Sequence, residues 1–552
     1  MDDDNIRLIK VLPGVPLRFG LHYFKFLSSP KQFYNALSYT WGSEVDRAAI
    51  SVNGRRLMVT RNLLEALSHL SRSFFYTYLW VDAICIDQSN LAEKSIQVAN
   101  MNRIYQHATE VIAFLGAPSD QMAVRRSRLA YERLKKFATE RRRIVAACED
   151  DLTLAHSLSQ FSRNSHELAP YINGYYRDSV WESIVRLYLL PWWSRAWIVQ
   201  EACCGPKPMI CYGNIMMHFS VFEHLLDHFE LGRMEMDESG QFEPTHPPLT
   251  SARRLMTMRG RREDGNPSFL EIIYMLSHQQ CKDPRDKVYA AISLVDTHRK
   301  IIVPDYQKSV LEVYLDVVQY CLQNSNHPCG TLDFLGYASS SSSRELLRLS
   351  SSSRTSIPGW IPDWRADSDY LTLGNNLRKR PDLHCHLDEI AWAPSVSSEY
   401  MRLTLKGWAM YQVGQSLAEL YQQASSDIQR EMLTTQLCSL FDYIIDIFLS
   451  GFNQVSDETN RHFMDHIQAI DVVTPYTRER SIRTIQGDTV ELGLFPDSTR
   501  AGDILCSFLG GSVFYVIRQV GNGIYKFIGE AVLMGQMDKI EREGSLESFI
   551  LM

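Results

Sequence analysis

The run YLWVDAICIDQ, Tyr78–Gln88, is nearly continuous apolar sequence over about a strand's length, and it restricts the fold more than any other segment. A strand that apolar is expected only where both sheet faces are covered, as in a parallel sheet flanked by helices. The residues around it fit that frame. Ser89 or Asn90 can cap a helix, Asn90 with Glu93 has the spacing of a capping box, and Val98, Met101, Tyr105 and Ala108 then mark one buried helix face. VIAFLG follows as a second buried strand closed by Gly116, FYNALSYTWG precedes as another, and PMICYG comes later. Alternation of this kind over residues 1–215 predicts an α/β domain with a parallel sheet. Residues 117–180 are charged and mixed in pattern, which predicts a helical insertion. SVWESIVRLYLLPWWSRAWIVQEACC then reads as a helix, a break at Pro191, and a second helix carrying Trp197 and Glu201.

Beyond this domain the pattern changes. Residues 216–337 read as mainly helical, 338–357 as a Ser-rich linker or loop, and 358–480 as mixed but mainly helical. In residues 481–552, SVFYVIRQV and IYKFIGEAVL flank GNG, a hairpin signal that predicts a small β-rich module.

Composition removes several function classes. Lysine plus arginine against aspartate plus glutamate is 57 − 64 = −7, with no long basic block, so nucleic acid is not an expected partner. The basic stretch Arg125–Ile144 reads as the outer face of a helix. Eleven cysteines, scattered and without a Cys-x-x-Cys pair, point to reduced thiols in the cytosol or nucleus, and a cytoplasmic setting is expected. The acidic start MDDDNIRLIK is unlike a signal peptide, and no apolar run reaches membrane-spanning length. HCH at His384–His386 lacks a second ligand cluster, so no metal is expected.

The chain has no P-loop, no Gly-x-Ser-x-Gly elbow, no His-Glu-x-x-His and no strand-to-helix Gly-x-Gly-x-x-Gly. Candidates for chemistry are instead polar and aromatic residues at the carboxyl ends of parallel strands, where open α/β sheets bind ligands. They are Ser38, Tyr39, Trp41 and Gly42 after the first strand, then Asp82 and Asp87 in and after the second. A buried Asp82 needs a partner, and Arg103 or Arg195 can supply it. Asp82 is equally an internal ion pair, and Asp87 a helix cap. Trp197 and Glu201 lie one turn apart on a helix and can face one pocket, although spacing alone favours a core tryptophan and a solvated glutamate. Cys85 or Cys203 with His107 or His218 is a rival nucleophile and base, weakened by the apolar setting of Cys85.

YNALSYTWG, LWVDAICIDQSNLAEKSIQVANMNRIYQHATEVIAFLG and PWWSRAWIVQEA together resemble the three signature blocks of the fungal heterokaryon-incompatibility (HET) domain, over about Phe33 to Gly213. CKDPRDKVYA, IPGWIPDW and AGDILCSFLGGSVFYVIR resemble the downstream half of long proteins of that family. The resemblance implies non-self recognition and regulated cell death, and a fold distantly similar to the Toll/interleukin-1 receptor (TIR) domain, a flavodoxin-like parallel sheet. In enzymatic TIR domains a glutamate four residues after a tryptophan is required to cleave NAD at the nicotinamide bond, and by position it falls on Glu201. Ile198 stands where those enzymes usually have cysteine.

What the resemblance implies is an NAD glycohydrolase activated by self-association, with NAD as substrate and no resident cofactor. Glu201 would be catalytic. Ser38, Tyr39, Trp41, Gly42, Asp82, Asp87, Arg103, Arg195 and Trp197 would line the substrate site. The alternative is a non-enzymatic module that recruits an incompatibility partner protein.

Overall fold

The computed structural model describes residues 5–13, 17–25, 33–73, 77–147, 171–172, 175–176, 179–206, 208–234, 250–264, 269–292, 294–295, 302–324, 332–338, 357–365, 395–397, 402–450, 480–485, 491–508, 511, 513–533 and 546–552. Two compact units emerge: residues 1–296 with 303–308, and residues 297–302 with 309–552.

The first unit is built on a nine-stranded sheet. Seven strands come early in the chain: β1 Asn5–Leu12, β2 Arg18–Lys25, β3 Tyr34–Tyr39, β4 Arg47–Val52, β5 Arg55–Thr60, β6 Tyr78–Trp80 and β7 Val111–Gly116. Strands Pro208–Tyr212 and Ile215–His218 complete it, in the order 215–218, 208–212, β7, β3, β6, β1, β2, β4, β5. The centre is parallel, since β3 pairs in parallel with β6 and β7, and β7 with 208–212. The flanks are mostly antiparallel, including β1 on β6 and 215–218 on 208–212, with a short parallel pairing of β2 and β4. An all-parallel sheet is thus corrected to a mixed one. The sequence boundary at residue 215 falls at the start of a strand of this same sheet. β1 and β2 were not anticipated: they form a hairpin whose register keeps Ile6, Leu8, Ile9 and Val11 of β1 buried.

β3 is buried along its whole length, as covering on both faces requires. The Tyr78–Gln88 run is not one strand, however. It pairs only as Tyr78–Trp80, and Asp82–Cys85 then forms a single helical turn, with the amides of Ile84 and Cys85 donating to the Val81 carbonyl. The Leu91–His107 helix follows, capped by Asn90, whose side chain accepts the Glu93 amide. The other half of the capping box is diverted. Glu93 accepts from the Asp87 amide and pairs with Arg7, tying this helix to β1. Val98, Met101, Tyr105 and Ala108 are buried as their spacing predicts. Within 117–180, the described part is the Gln121–Ala147 helix, the two-residue strands Tyr171–Ile172 and Tyr175–Tyr176, and the start of the Ser179–Tyr188 helix.

In the second unit, helices Val310–Asn324, Leu417–Gln423 and Asp427–Ser450 accompany a second sheet. Its path runs 402–416, 480–485, 491–496, 524–533, 514–521, 504–508, and 504–508 pairs back on 402–416, so these strands close on themselves. Closure removes the exposed edges an open sheet would carry. The GNG hairpin joins 514–521 to 524–533 as expected, with Gly523 at φ 69° in its turn. The β-rich part begins earlier than residue 481, because Arg402–Ser416 is a central strand. At Gly407 an added Cβ would collide with the Ser507 carbonyl and the Phe508 backbone across the ladder. Gly407→Ala is therefore expected to cost about 1–3 kcal/mol by overpacking, measured as a lower urea midpoint for the second unit. An unchanged midpoint would mean that the strands separate freely there.

The Ser-rich linker is, but for its ends, outside the described residues, as is His384–His386. Among the described residues no helix is long and apolar enough to cross a membrane, and no group of histidine, cysteine and acidic side chains is arranged to hold a metal.

Candidate functional site

The parallel strands β3 and β6 end at the same edge of the sheet, and the charged cluster forms there. β3 delivers Ser38 and Tyr39 as its last two residues, and Asp82 stands just beyond β6. PWWSRAWIVQEA crosses above them as a short 3-10 turn, Pro191–Ser194, then extended backbone at Arg195, then the Ile198–Cys204 helix. Glu201 projects from the first turn of that helix and is only 2% exposed.

Glu201 is buried in a web of hydrogen bonds. Trp192 Nε1 donates to Ser38 Oγ at 2.7 Å, and Ser38 Oγ donates to Glu201 Oε2. Since an indole nitrogen can only donate, the serine proton is left free to point at the carboxylate. Arg195 Nη1 lies 3.4 Å from Glu201 Oε2. Asp82 belongs to the same cluster and accepts from Trp41 Nε1 at 2.8 Å and from the Ala83 amide at 2.7 Å.

The Arg195 charge thus acts on both carboxylates, and it is paired directly with Glu201. Burial raises the pKa of Glu201 and that of Asp82, opposed in each case chiefly by Arg195. Burial works against the Arg195 charge too, but Glu201 and Asp82 overcome it and hold the guanidinium protonated. A buried group of this composition carries one negative charge in excess when all three are ionised. Access is from the half-buried side chains of Trp41, Asp82 and Arg195, because Ser38, Tyr39, Tyr105 and Glu201 are fully enclosed. A separate cleft lined by Leu134, Leu187, Ile210 and Phe222 lies at the edge strands and contains none of these charges.

The family model described as Heterokaryon incompatibility protein (HET) matches residues 34–201, running from the first residue of β3 to Glu201 itself. The chain carries a HET domain. Its similarity to Heterokaryon incompatibility protein 6, OR allele, of Neurospora crassa extends further, at 26% identity over 379 residues, 61% of this chain and 54% of that protein. The chain thus spans about half the length of this curated relative. No solved structure matches it significantly.

The HET domain brings together Ser38, Tyr39, Trp41, Asp82, Arg195 and Glu201, and of the two arginines it is Arg195 whose charge acts on Asp82. The Arg103 guanidinium instead donates to Asn100 at 3.3 Å. Asp87 is exposed and accepts the amide and hydroxyl of Ser89, which lower its pKa, so it belongs to the turn before the helix. Gly42 is an exposed glycine at φ 75° against Asn62. Trp197 is the N-cap of its helix, in helical backbone conformation, and its carbonyl accepts the Glu201 amide at 3.3 Å, so the two residues stand one turn apart as their spacing predicts.

Sequence reading missed Trp192 and Tyr105 as partners of the cluster. Tyr105 carried a usable signal: a tyrosine on a buried helix face must place its hydroxyl against an acceptor. The cysteine alternative loses ground, since burial pushes the Cys85 thiol up to about 12. His107 Nδ1 meets the Arg103 carbonyl and His218 Nδ1 meets Ser220. Brief iodoacetamide treatment of the folded chain at pH 8 is expected to label exposed Cys438 and spare Cys85, read by peptide mass spectrometry. Rapid Cys85 labelling would restore the thiol as a candidate.

Proposed function

We propose that the HET domain hydrolyses NAD at the nicotinamide glycosidic bond, within a protein acting in heterokaryon incompatibility and cell death. The observation that carries this reading is the buried, hydrogen-bonded Glu201 at the carboxyl edge of the parallel strands, beside Arg195 and Asp82. Nicotinamide leaves with the electron pair of the C1′–N bond, which neutralises its pyridinium, so no general acid is needed. Glu201 would stabilise the positive charge that develops on the ribose, and water would add at C1′ and release a proton. Trp41 offers an aromatic face to the pyridinium, and Arg195 offers donors to the diphosphate or the ribose. The mixed sheet with its parallel centre supports a TIR-like ancestry without requiring it.

Enclosure of Glu201 favours regulation. The substrate reaches that carboxylate only if the Trp41–Asp82–Arg195 side opens, and self-association is the event we assign to that step. The same enclosure supports a second reading, in which Glu201 merely clamps β3 to two helices and the domain recruits partners without catalysis. Incubation of the purified full chain with NAD, at rising protein concentration and with a crowding agent, decides between them. Release of nicotinamide that rises faster than linearly with protein supports gated hydrolysis. Absence of release under every assembling condition, with particle mass confirming assembly, establishes the recruiting module instead.

A further inference from the structure

The Gln121–Ala147 helix, 27 residues long, contributes no side chain to the cluster around Glu201. Its inner side is ordinary core. Ala130, Leu134, Phe137 and Ala138 recur at helical spacing and are buried, and Ala130 and Leu134 line one cleft with Leu187 of the Ser179–Tyr188 helix and Phe222 of the Phe219–Met234 helix. The outer side is cationic. Arg125, Arg128, Lys135, Lys136, Arg142 and Arg143 are exposed and fall on the half of the helix opposite that buried face. The helix carries nine arginines and lysines against two glutamates, in a chain whose net charge is −7. Glu140 meets Arg143 at 4.0 Å, but among the described residues Arg125, Arg126, Arg128 and Lys135 form no ion pair.

We infer that this outer face docks the protein peripherally on an anionic phospholipid surface. The inference does not depend on the reading of Glu201. Like charges gathered on one face repel one another, and a negatively charged surface turns that repulsion into attraction. From Arg125 to Arg143 the stripe is straight and about 27 Å long at 1.5 Å per residue, so a flat layer of headgroups can meet all of it at once. Each cation held near such a layer strengthens binding about fivefold. Apolar side chains accompany the charges: Met122 and Leu129 are 57% and 56% exposed and stand one turn to either side of Arg125 and Arg126. Cations interleaved with exposed apolar side chains are what seats a helix face among headgroups. Nucleic acid fits less well. Phe137 is buried and Tyr131 half-buried, so the outer face offers bases no aromatic ring to stack on, and Met122 and Leu129 have no counterpart on a phosphate backbone. Docking is peripheral because the packed inner face keeps the helix in the protein.

Sedimentation of the full chain with vesicles tests this. At about 0.1 M salt the wild type should sediment with vesicles of phosphatidylcholine containing about one third phosphatidylserine and stay in solution with phosphatidylcholine alone. It should be released at about 1 M salt, where screening shortens to about 3 Å. Arg125→Gln, Arg128→Gln and Lys135→Gln combined should weaken binding about 100-fold. Arg55→Gln with Arg56→Gln, an exposed cationic pair on β5, should leave it nearly unchanged. Leu129→Gln should weaken it several-fold without altering its dependence on salt. All these side chains are exposed, so the urea midpoint of each variant should match the wild type. Equal binding to neutral and anionic vesicles, no binding to anionic vesicles, or wild-type binding by the triple variant overturns the inference. Retention on polyuridylate RNA or on polyglutamate with vesicles ignored also overturns it, and makes the stripe a nucleic-acid or acidic-protein face instead.

Discussion

Arg195→Met is expected to lower the stability of the first unit by about 3–5 kcal/mol at pH 8, because removing one partner of a buried ionic group strands the others. Methionine keeps the approximate length and apolar stem, so the loss reports on the charge. Glu201 and Asp82 already have pKa values raised by burial, and without the guanidinium they would rise further. The sign of the pH dependence follows. A carboxyl whose value is higher in the folded than in the unfolded chain contributes its stability below the unfolded value, about 4, and loses it as pH rises. The deficit of Arg195→Met should therefore be largest at pH 8 and shrink as pH falls toward 4. Urea unfolding monitored by tryptophan fluorescence at several pH values measures it. A deficit independent of pH would show that Arg195 matters through packing, and none at all would show that the cluster is not electrostatically coupled.

Glu201→Gln separates chemistry from architecture. Nicotinamide release is expected to fall by at least ~100-fold, the scale on which removal of one preorganised group that stabilises transition-state charge acts. Folding should not suffer. The carboxamide oxygen can still accept from Ser38, and the Arg195 charge is then balanced by that of Asp82. Since the wild-type Glu201 value is raised, its ionised form costs stability at neutral pH, and Glu201→Gln should unfold at an equal or higher urea concentration there. An enzyme that keeps its fold and loses turnover fits the proposal. Equal turnover by wild type and variant would remove Glu201 from the mechanism, and loss of folding would make it the structural clamp of the second reading.

This arrangement explains why the cluster was only partly legible. Strand and helix periodicity located β3, β7, the strand at 208–212 and the buried face of the Leu91–His107 helix, because local burial leaves a direct trace in residue type. Strand ends then pointed to Ser38, Tyr39, Trp41 and Asp82. Asp82 was misplaced inside a strand, since a one-turn helix closed by the Val81 carbonyl is as apolar as the strand it replaces. Arg103 and Arg195 were equivalent by sequence. Only the crossing of the 191–204 segment over the strand ends brought Arg195 into the site and left Arg103 bonded to its own helix neighbour Asn100.

By itself the sequence determined the alternating elements, the HET blocks and the C-terminal hairpin, all of which are written in spacing between neighbours in the chain. Tertiary structure decided that the sheet is mixed, that the C-terminal strands close on themselves, and that Trp192, not Trp197, supports Ser38 at the Glu201 carboxylate. It also decided what kind of charge Glu201 is. A glutamate in a short helix is solvated by default, and whether it becomes buried and paired depends on groups 6 and 163 positions away in the chain, at Arg195 and Ser38, which no local pattern can bring together.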